Sequence, residues 1–273
     1  MIRRFSQKNL ANFTSLKVGG STDTLLVPES YIDTVEILQS HSESLWFLGY
    51  GSNVLISDHG LPGTTVLWRN GTISKQDTTL VVDAGVWWDD LVQYSISQKL
   101  WGLELMSEIP SSVGGAVFGN IAAYGQQVSD TLEWVDIYDS SQKIVSRVPA
   151  ETFTFAYRSS SFQSKPHLKI LRAAFGLSKT PLHTLTYDSA LSIAQELDEK
   201  IDDLESVRRI IVETRTRAGS IYHPDDERAE RTAGSFFKNP MVTIEQAQKL
   251  ASYDESGKTL ERILSQSKIH GGS

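Results

Sequence analysis

Short apolar runs alternate with a helical run near the N-terminus, and this alternation most limits what the 273-residue chain can fold into. Three runs rich in β-branched and aromatic residues predict short strands: TLLVP (24–28), LWFL (45–48) and TTVLW (64–68). Between the first two, the run 31–40 carries Ile32, Val35 and Leu38 at helical spacing. The pattern predicts a small β-α-β unit.

The alternation continues beyond residue 70. Further strands are predicted at 80–85, near 133–139, at 143–148 and at 168–175, with a helix through 89–99. A helical tract from Asp188 to about Arg217 is amphipathic in part and has four apolar residues on one side: Leu204, Val207, Ile210 and Ile211. The mixture of strands and helices predicts the α+β fold class.

A polar, turn-rich stretch, GSIYHPDDERAERTAGS (219–235), separates this part from the C-terminal tail and predicts a domain boundary. Two further short helices are predicted in the tail, at IEQAQKLAS (244–252) and TLERILSQSK (259–268). We therefore divide the chain into three parts, residues 1–70, 71–218 and 219–273.

Charge and composition exclude several functions. The net charge of −7 and the pI of about 5.4 offer no basic surface, so we expect neither nucleic acid nor a membrane as partner. The sequence has no cysteine, which excludes disulfides, thiolate catalysis and cysteine zinc sites. The six histidines form no pair at metal-ligand spacing, so we expect no catalytic metal. The N-terminus lacks an apolar run of signal-peptide length, and we expect a cytoplasmic protein.

Three segments carry residue types suited to binding an anionic cofactor or substrate. In LGYGSNVLISD (48–58), the glycines allow close backbone approach, so the loop could wrap a pyrophosphate, although this segment alone favours a glycine-rich β-turn. It is neither a Rossmann nor a Walker A motif. In the segment 102–130, Gly114, Gly115, Gly119 and Gly125 lie among small and hydroxyl residues, a pattern that suits either a planar ligand or close helix packing. In FAYRSSSFQ (155–163), Arg158 could hold a carboxylate or a phosphate, or lie on the surface.

A fourth segment, TAGSFFKNP (232–240), places Ser235 beside a glycine, where a serine ordinarily serves a turn or a helix cap. The segments LGYGSN, GLELMSEIPSSVGGAVFGNIAAYG, FAYRSSSF and AGSFFKNP follow one another in the order and approximate spacing of the UDP-N-acetylenolpyruvoylglucosamine reductase (MurB) family. The resemblance covers about residues 14–272. AGSFFKNP is the most specific of the four motifs.

The resemblance implies a two-subdomain FAD-binding domain of the vanillyl-alcohol-oxidase (PCMH) type in residues 1–70 and 71–218. Residues 219–273 would then form an α+β substrate domain, incomplete against the family pattern. The implied reaction uses NADPH and FAD to reduce UDP-N-acetylglucosamine enolpyruvate to UDP-N-acetylmuramate in peptidoglycan synthesis, and we expect a monomer with this UDP-sugar as its partner.

Site residues follow from the same resemblance, position by position. The implied catalytic residues are Ser235 as proton donor, Arg158 at the substrate carboxylate, and Tyr157 beside it. The implied FAD-binding residues are Gly49, Tyr50, Gly51, Ser52, Asn53, Ser111, Ser112, Gly114, Gly115 and Tyr124. The implied substrate-binding residues are Lys238, Asn239, Tyr124 and Arg158, and no metal is implied.

The chain departs from the family pattern at several positions. Tyr50 stands at the middle glycine of the first loop, and a lysine expected before the polar stretch is missing, where Arg215 or Arg217 could substitute. The sequence ends at KIHGGS, and neither Glu255 nor Glu261 matches the family's C-terminal catalytic glutamate. Two alternatives therefore stand: an active reductase, or a flavin- or UDP-sugar-binding protein with little or no turnover.

Overall fold

A four-stranded sheet carries the N-terminal part of the chain in the computed structural model, which describes residues 1–41, 45–226, 231–234 and 242–251. Its elements are β1 (Ile2–Asn9), β2 (Ser21–Pro28), the helix α1 (Tyr31–Ser40), β3 (Leu45–Leu48) and β4 (Leu61–Leu67). The strand order is β1-β2-β4-β3, with β1 antiparallel to β2 and the other two pairs parallel. The predicted β-α-β unit is confirmed, and β4 lies between its two strands.

A five-stranded antiparallel sheet follows. The remaining elements of the first 217 residues are β5 (Ile73–Gln76), β6 (Thr79–Asp83), α2 (Trp88–Ser97), α3 (Val113–Gly119), β7 (Ala122–Ala123), β8 (Gln126–Gln127), β9 (Leu132–Asp139), β10 (Ile144–Pro149), β11 (Phe155–Ala156), β12 (Ser159–Ser160), β13 (Leu168–Gly176), α4 (Asp188–Glu196) and α5 (Leu204–Arg217). The sheet order is β10-β9-β13-β6-β5, and each neighbouring pair is antiparallel. The strands and the helix predicted between residues 80 and 175 are confirmed.

Helix α1 begins at a serine cap but does not bury all the residues that its spacing suggested. Ser30 accepts a hydrogen bond from the Asp33 N–H at 3.1 Å, and the Asp33 carboxylate binds the N-terminal ammonium at 2.8 Å. These bonds turn Asp33 and Thr34 inward, so that Leu38 is buried while Ile32 is 75% exposed. The capping hydrogen bond and the ion pair of Asp33 therefore decide which face of α1 is buried, and the Ile32 side chain stays exposed.

Two predictions about local structure were incomplete. The strand β1 was missed because most of its side chains are exposed, so that its sequence shows no apolar alternation. The helical tract from 188 to 217 is two helices, α4 and α5, and the break between them includes Asp198 in the left-handed region at a φ of 52°. The four apolar residues predicted to share one side of the second helix are all buried.

The apolar core fills the space on both sides of each sheet. The largest cluster lies around the five-stranded sheet, α2, α3, α4 and α5. A second cluster joins α1 to both sheets, and the Tyr138 hydroxyl of β9 donates to the Leu38 carbonyl of α1 at 3.0 Å. Adjacent residues of β2 point into different clusters, since Leu25 packs with the third cluster and Leu26 with the second. The four-stranded sheet is therefore covered on both faces.

The chain divides into two compact units, Met1–Gly234 and Ser235–Ser273. In the second unit the described residues form one helix, α6 (Ile244–Ala251), which confirms the first of the two predicted tail helices. The second predicted tail helix, 259–268, lies outside the described residues. The division at 70/71 and 218/219 stays a prediction.

A buried ion-pair network ties α5 to α2 and to the loop before α3. The Arg208 guanidinium binds both carboxylate oxygens of Asp89, at 2.8 and 2.7 Å, and one oxygen of Glu108 at 3.2 Å. Burial opposes ionisation of Asp89, but hydrogen bonds from Arg208 and from the Glu108 N–H outweigh it and lower the pKa of Asp89. Burial and the Asp89 charge raise the pKa of Glu108. Arg208 therefore compensates two acids that otherwise repel each other.

Replacing Arg208 by methionine removes this compensation and leaves Asp89 buried without its cation. We expect Arg208→Met to lower the free energy of unfolding by about 3–5 kcal/mol at pH 7 in urea titrations. Arg209→Met is the matched control, because Arg209 lies on the same helix as Arg208 but is largely exposed and pairs with Glu199 before the helix. It should cost under about 1 kcal/mol.

The effect of Arg208→Met on the free energy of unfolding should also depend on pH. The pKa of Asp89 is lower in the folded state than in the unfolded state. Asp89 therefore contributes to the free energy of unfolding at pH values above its unfolded pKa, and this contribution is lost as the pH falls through its folded pKa. The stability gap between Arg208→Met and wild type should therefore narrow on acidification below about pH 4. If the difference in free energy of unfolding between wild type and Arg208→Met did not change with pH, Arg208 would act through packing alone.

Candidate cofactor and substrate site

The first glycine segment is a turn that begins where β3 ends. Gly51 has a φ of +66°, and a Cβ atom there would lie 2.2 Å from the Phe13 carbonyl oxygen. A Cβ at Gly49 would lie 2.7 Å from the Ser112 hydroxyl oxygen. Glycine is required at both positions because other parts of the chain approach the backbone closely.

The two faces of this turn have opposite hydrogen-bonding character. The Gly49 carbonyl accepts from Arg69 Nε at 2.8 Å, and the Gly51 carbonyl accepts from the Ser15 N–H at 3.1 Å. The successive N–H groups of residues 50–53 have no acceptor within the described part of the chain. Carbonyls are thus tied to the protein while consecutive N–H groups stay available, which is the arrangement of an anion-binding nest.

The second glycine segment lies against the first but uses its N–H groups internally. The Ser52 hydroxyl donates to the Pro110 carbonyl. At the start of α3, the N–H groups of Val113 and Gly114 donate to the carbonyls of Val86 and Ala84, at 2.9 and 2.8 Å. The hydroxyl of the cap residue Ser112 accepts from the third, Gly115, at 3.1 Å. The first turn therefore has the available donors, and the second segment supplies the wall against which it packs.

Tyr50, which stands where the family resemblance implies a glycine, lies among aromatic and cationic side chains. Its ring meets Trp87 edge-on with centroids 4.4 Å apart, and its hydroxyl donates to the Arg69 carbonyl at 3.1 Å. Burial raises the pKa of Tyr50 to about 12, so the phenol is neutral at pH 7. The side chain therefore extends away from the N–H groups of its own turn into a packed position.

Arg158 and Tyr157 form the turn of the β11–β12 hairpin, with Arg158 in the left-handed region at a φ of 48°. The hairpin is fixed to the C-terminal end of α3. The Ser160 hydroxyl donates to the Phe118 carbonyl at 2.6 Å, and the Asn120 side-chain amide donates to the Ala156 carbonyl at 3.2 Å. The seven-residue helix, about 10 Å long, thus carries a glycine segment at one end and the arginine hairpin at the other.

Tyr124 lies on the β7–β8 hairpin, whose turn residues Tyr124 and Gly125 have φ values of 51° and 88°. Both central residues are left-handed, as in the tight turns that match strand twist. The Tyr124 ring meets Tyr187 edge-on at 5.5 Å, and burial raises the pKa of Tyr124. The hydroxyl stays a neutral hydrogen-bonding group at pH 7.

The structure separates the two arginines that could replace the missing lysine. Arg217 is exposed and bound by the carboxylates of Glu213 and Glu196. Arg215 donates to the Ser220 carbonyl at 2.9 Å, while its buried Nε has no hydrogen-bond partner within the described residues. Burial lowers the pKa of Arg215, and among the groups that oppose this effect Tyr124 has the largest influence. Of the two arginines, Arg215 is therefore the one with a buried donor that has no partner among the described residues.

Three predicted residues, Ser235, Lys238 and Asn239, lie outside the described residues. The chain that leads to them is described up to Gly234. The Ser15 hydroxyl donates to the Thr232 carbonyl and also to the Gly51 carbonyl, the latter at 3.3 Å. Thr232, three positions before Ser235, is consequently held beside the first glycine turn.

Ser15, Arg69 and Trp87 were missed by the sequence reasoning. Each acts on the first turn from a distant part of the chain, and no local pattern marks them. The only available signal was a single basic residue directly after a predicted strand, in LWRNG (67–71), and lone arginines of this kind are common on surfaces.

The described residues contain no group of three or more histidine, cysteine, aspartate or glutamate side chains that could hold a metal ion. Among the same residues, no helix is long and apolar enough to cross a membrane.

Comparisons with known proteins agree with this arrangement. An FAD binding domain family matches residues 27–146. The UDP-N-acetylenolpyruvoylglucosamine reductase of Salinispora arenicola is 32% identical over 245 residues, which are 86% of this chain and 67% of the relative. That of Thermobifida fusca is 31% identical over 247 residues, which are 87% of this chain and 69% of the relative. The chain belongs to the UDP-N-acetylenolpyruvoylglucosamine reductase family.

A solved structure of the family has the same architecture. The crystal structure of the reductase (MurB) from Thermus caldophilus superposes with a TM-score of 0.63 at 25% identity, over 92% of this chain and 80% of that chain. The predicted fold class is confirmed as an α+β protein with an FAD-binding domain of the PCMH type. FAD is the cofactor, and NADPH is the co-substrate typical of the family.

The chain's own residues fit a dinucleotide. The N–H groups of residues 50–53 are available within the described chain, and close contacts leave no room for a side chain at Gly49 or at Gly51. A diphosphate needs such a run of backbone donors, because its charge is spread over several oxygens.

Gly51→Ala tests this fit. The added methyl would meet the Phe13 carbonyl and distort the turn, so we expect FAD affinity to fall at least roughly tenfold. Gly63→Ala is the control, because Gly63 also has a positive φ of +84° but nothing within 4 Å of the added Cβ, and it should retain FAD. The measurement is flavin absorbance per protein after reconstitution and acid precipitation. Wild-type flavin should be released as FAD by the acid, since we expect non-covalent binding.

Proposed function

We propose that this protein reduces UDP-N-acetylglucosamine enolpyruvate to UDP-N-acetylmuramate with NADPH, as a cytoplasmic monomer in peptidoglycan precursor synthesis. The main support is the arrangement of α3, which carries the cofactor-side glycine segment at one end and the Arg158 hairpin at the other. Residues 1–70 and 71–218 would hold FAD, and residues 219–273 would contribute to substrate binding.

Arg158 is proposed to bind the carboxylate of the enolpyruvyl group. FAD, when bound, accepts hydride from NADPH and supplies it to the enol ether. Hydride addition to one carbon of the double bond leaves carbanion character at the carbon that bears the carboxylate. A fixed guanidinium at that carboxylate stabilises the developing enolate, and such preorganised electrostatic stabilisation is usually the largest catalytic contribution. Tyr157, the neighbouring turn residue, would border the same group.

Ser235 is proposed to deliver the proton that completes the reduction. The carbanion carbon requires one proton, and the hydroxyl of a serine in contact with it can supply this proton because an enolate-like carbon is strongly basic. Support comes from the family motif AGSFFKNP. The resulting alkoxide is then reprotonated from solvent.

Lys238, Asn239 and Tyr124 are proposed to bind the rest of the UDP-sugar. The substrate carries a diphosphate, which needs positive charge and hydrogen-bond donors. Arg215 suits this role in place of the family lysine, because its Nε is buried and has no partner within the described residues. Its neighbour Arg217 is already engaged by two carboxylates.

Ser235→Ala tests the proton donor by separating the two half-reactions. Flavin reduction by NADPH should be unchanged, because it creates no carbanion on the substrate. Flavin reoxidation by the enolpyruvyl sugar should slow by roughly a hundred- to ten-thousand-fold. Stopped-flow absorbance follows both steps. Ser192→Ala is the control, since that hydroxyl bonds only within its own helix, to the Asp188 carbonyl.

The wild-type traces also decide between an enzyme and a binding protein. Reduction by NADPH without reoxidation by the enolpyruvyl sugar would identify a flavin protein with no turnover of this substrate. Equal rates of flavin reoxidation in wild type and Ser235→Ala would show that Ser235 is not the proton donor and serves only a structural role in a turn.

Arg158→Lys tests the carboxylate site. Lysine keeps the charge but loses the planar two-point fork, so we expect kcat/KM for the UDP-sugar to fall by about tenfold or more while flavin content stays normal. Arg147→Lys is the control, because Arg147 pairs with Asp136 at the edge of the five-stranded sheet. An unchanged kcat/KM would contradict the assignment of Arg158.

A further inference from the structure

Arg69 lies two residues beyond β4 and binds the back of the first glycine turn. Its Nε donates to the Gly49 carbonyl at 2.8 Å, and one Nη donates to the Phe13 carbonyl at 2.7 Å. The guanidinium also lies over two aromatic rings, 5.1 Å from the centroid of Tyr50 and 5.6 Å from that of Phe13. One side chain therefore joins the turn, the segment before β2 and the end of β4.

The bonding of Arg69 differs from that of two other partly buried arginines in the first unit, Arg172 and Arg208. Arg172 and Arg208 bind the carboxylates of Asp83 and Asp89 at 2.8 and 2.7 Å. Within the described residues no carboxylate lies within 4 Å of Arg69, and its hydrogen bonds go to the backbone carbonyls of Gly49 and Phe13. An arginine stays protonated in a protein, so among the described residues this cation has no ion-pair partner.

The surroundings of Arg69 leave this charge weakly compensated. Burial lowers the pKa of Arg69, and the groups that oppose this effect are Tyr50, Tyr222 and Asp225. Both phenols are neutral at pH 7, because burial raises the pKa of each. Burying an uncompensated cation is unfavourable unless a negative group joins it in the functional state.

The turn that Arg69 supports is itself built for an anion. Arg69 and Ser15 bind the carbonyls of Gly49 and Gly51, so the turn cannot present these acceptors to a ligand. The N–H groups of residues 50–53 have no acceptor within the described chain. The donors and the cation thus belong to one unit, in which the guanidinium fixes the conformation that exposes the donors.

We infer that Arg69 is a positioning residue for the diphosphate of FAD: it holds the turn 49–53 in its donor-exposing form and supplies the positive charge behind it. This assignment goes beyond the proposed reductase reaction, because it concerns cofactor affinity and is independent of the UDP-sugar. It gives the diphosphate a cation that no sequence motif indicates.

The test is the affinity of the apoprotein for FAD and for riboflavin, which has the same ring system but no phosphate. Arg69→Met should weaken FAD binding by roughly ten- to a hundred-fold while riboflavin binding changes little, because only FAD brings the anion that the turn holds. Arg69→Lys should recover part of the loss, since lysine keeps the charge but cannot bridge both carbonyls. Quenching of flavin fluorescence gives both dissociation constants.

Arg147→Met is the matched control, because Arg147 pairs with Asp136 and stacks 3.4 Å from the Trp134 ring centroid at the edge of the other sheet. It should leave the ratio of the two dissociation constants at the wild-type value. An unchanged FAD affinity in Arg69→Met, or an equal loss for FAD and riboflavin, would overturn the inference and make Arg69 a general stabiliser of the fold.

Ser15→Ala keeps the inference testable if the Arg69 variants do not fold. This change removes the hydroxyl bond to Gly51 but retains Arg69, and the Ser15 N–H still binds the Gly51 carbonyl. We expect a smaller loss, about two- to tenfold, again confined to FAD. If the Arg69 variants do not fold, the decision rests on Ser15→Ala. The inference would then be overturned if the ratio of the FAD and riboflavin dissociation constants of Ser15→Ala equalled that of the wild type.

Discussion

A short backbone bridge between the end of β6 and the start of α3 is the constraint on which the rest of the site depends. The first N–H groups of α3 donate to the carbonyls of Val86 and Ala84, and the Ala84 N–H in turn donates to β13. A seven-residue helix is too short to be stable alone, so these bonds and its buried face hold it. Because the bridge sets α3, it also sets both features attached to the helix: the cap residue Ser112, against which Gly49 packs, and the hairpin that carries Arg158.

Three partly or largely buried guanidinium groups of the first unit have different partners. Arg208 binds carboxylates, Arg69 binds backbone carbonyls, and Arg215 has a buried Nε without a partner in the described chain. Burial lowers the pKa of each, and only for Arg208 do Asp89 and Glu108 outweigh this effect. A net charge of −7 therefore does not by itself prevent diphosphate binding, since locally placed cations and oriented N–H groups matter more than overall charge.

The position of Tyr50 shows how a member of this family accommodates a large side chain in a glycine turn. The backbone conformation of the turn depends on Gly51, where a Cβ would meet a carbonyl, and not on residue 50. Tyr50 instead fills space against Trp87 and Arg69, and its hydroxyl is satisfied by a carbonyl. The substitution thus keeps the N–H groups available and adds packing behind them.

The sequence by itself determined the elements with strong local patterns, the α+β class, the family and its FAD cofactor, because each rests on apolar periodicity or on short glycine and serine motifs. It did not show that β1 exists, that the tract 188–217 breaks, or that Ile32 is exposed, since an edge strand, a left-handed residue and an ion pair leave no apolar pattern. The proximity of Ser15 and Arg69 to the glycine turn, and the contrast between Arg215 and Arg217, were decided only by the tertiary structure. These depend on contacts between residues distant in the chain, and such contacts arise from packing, which no local pattern encodes.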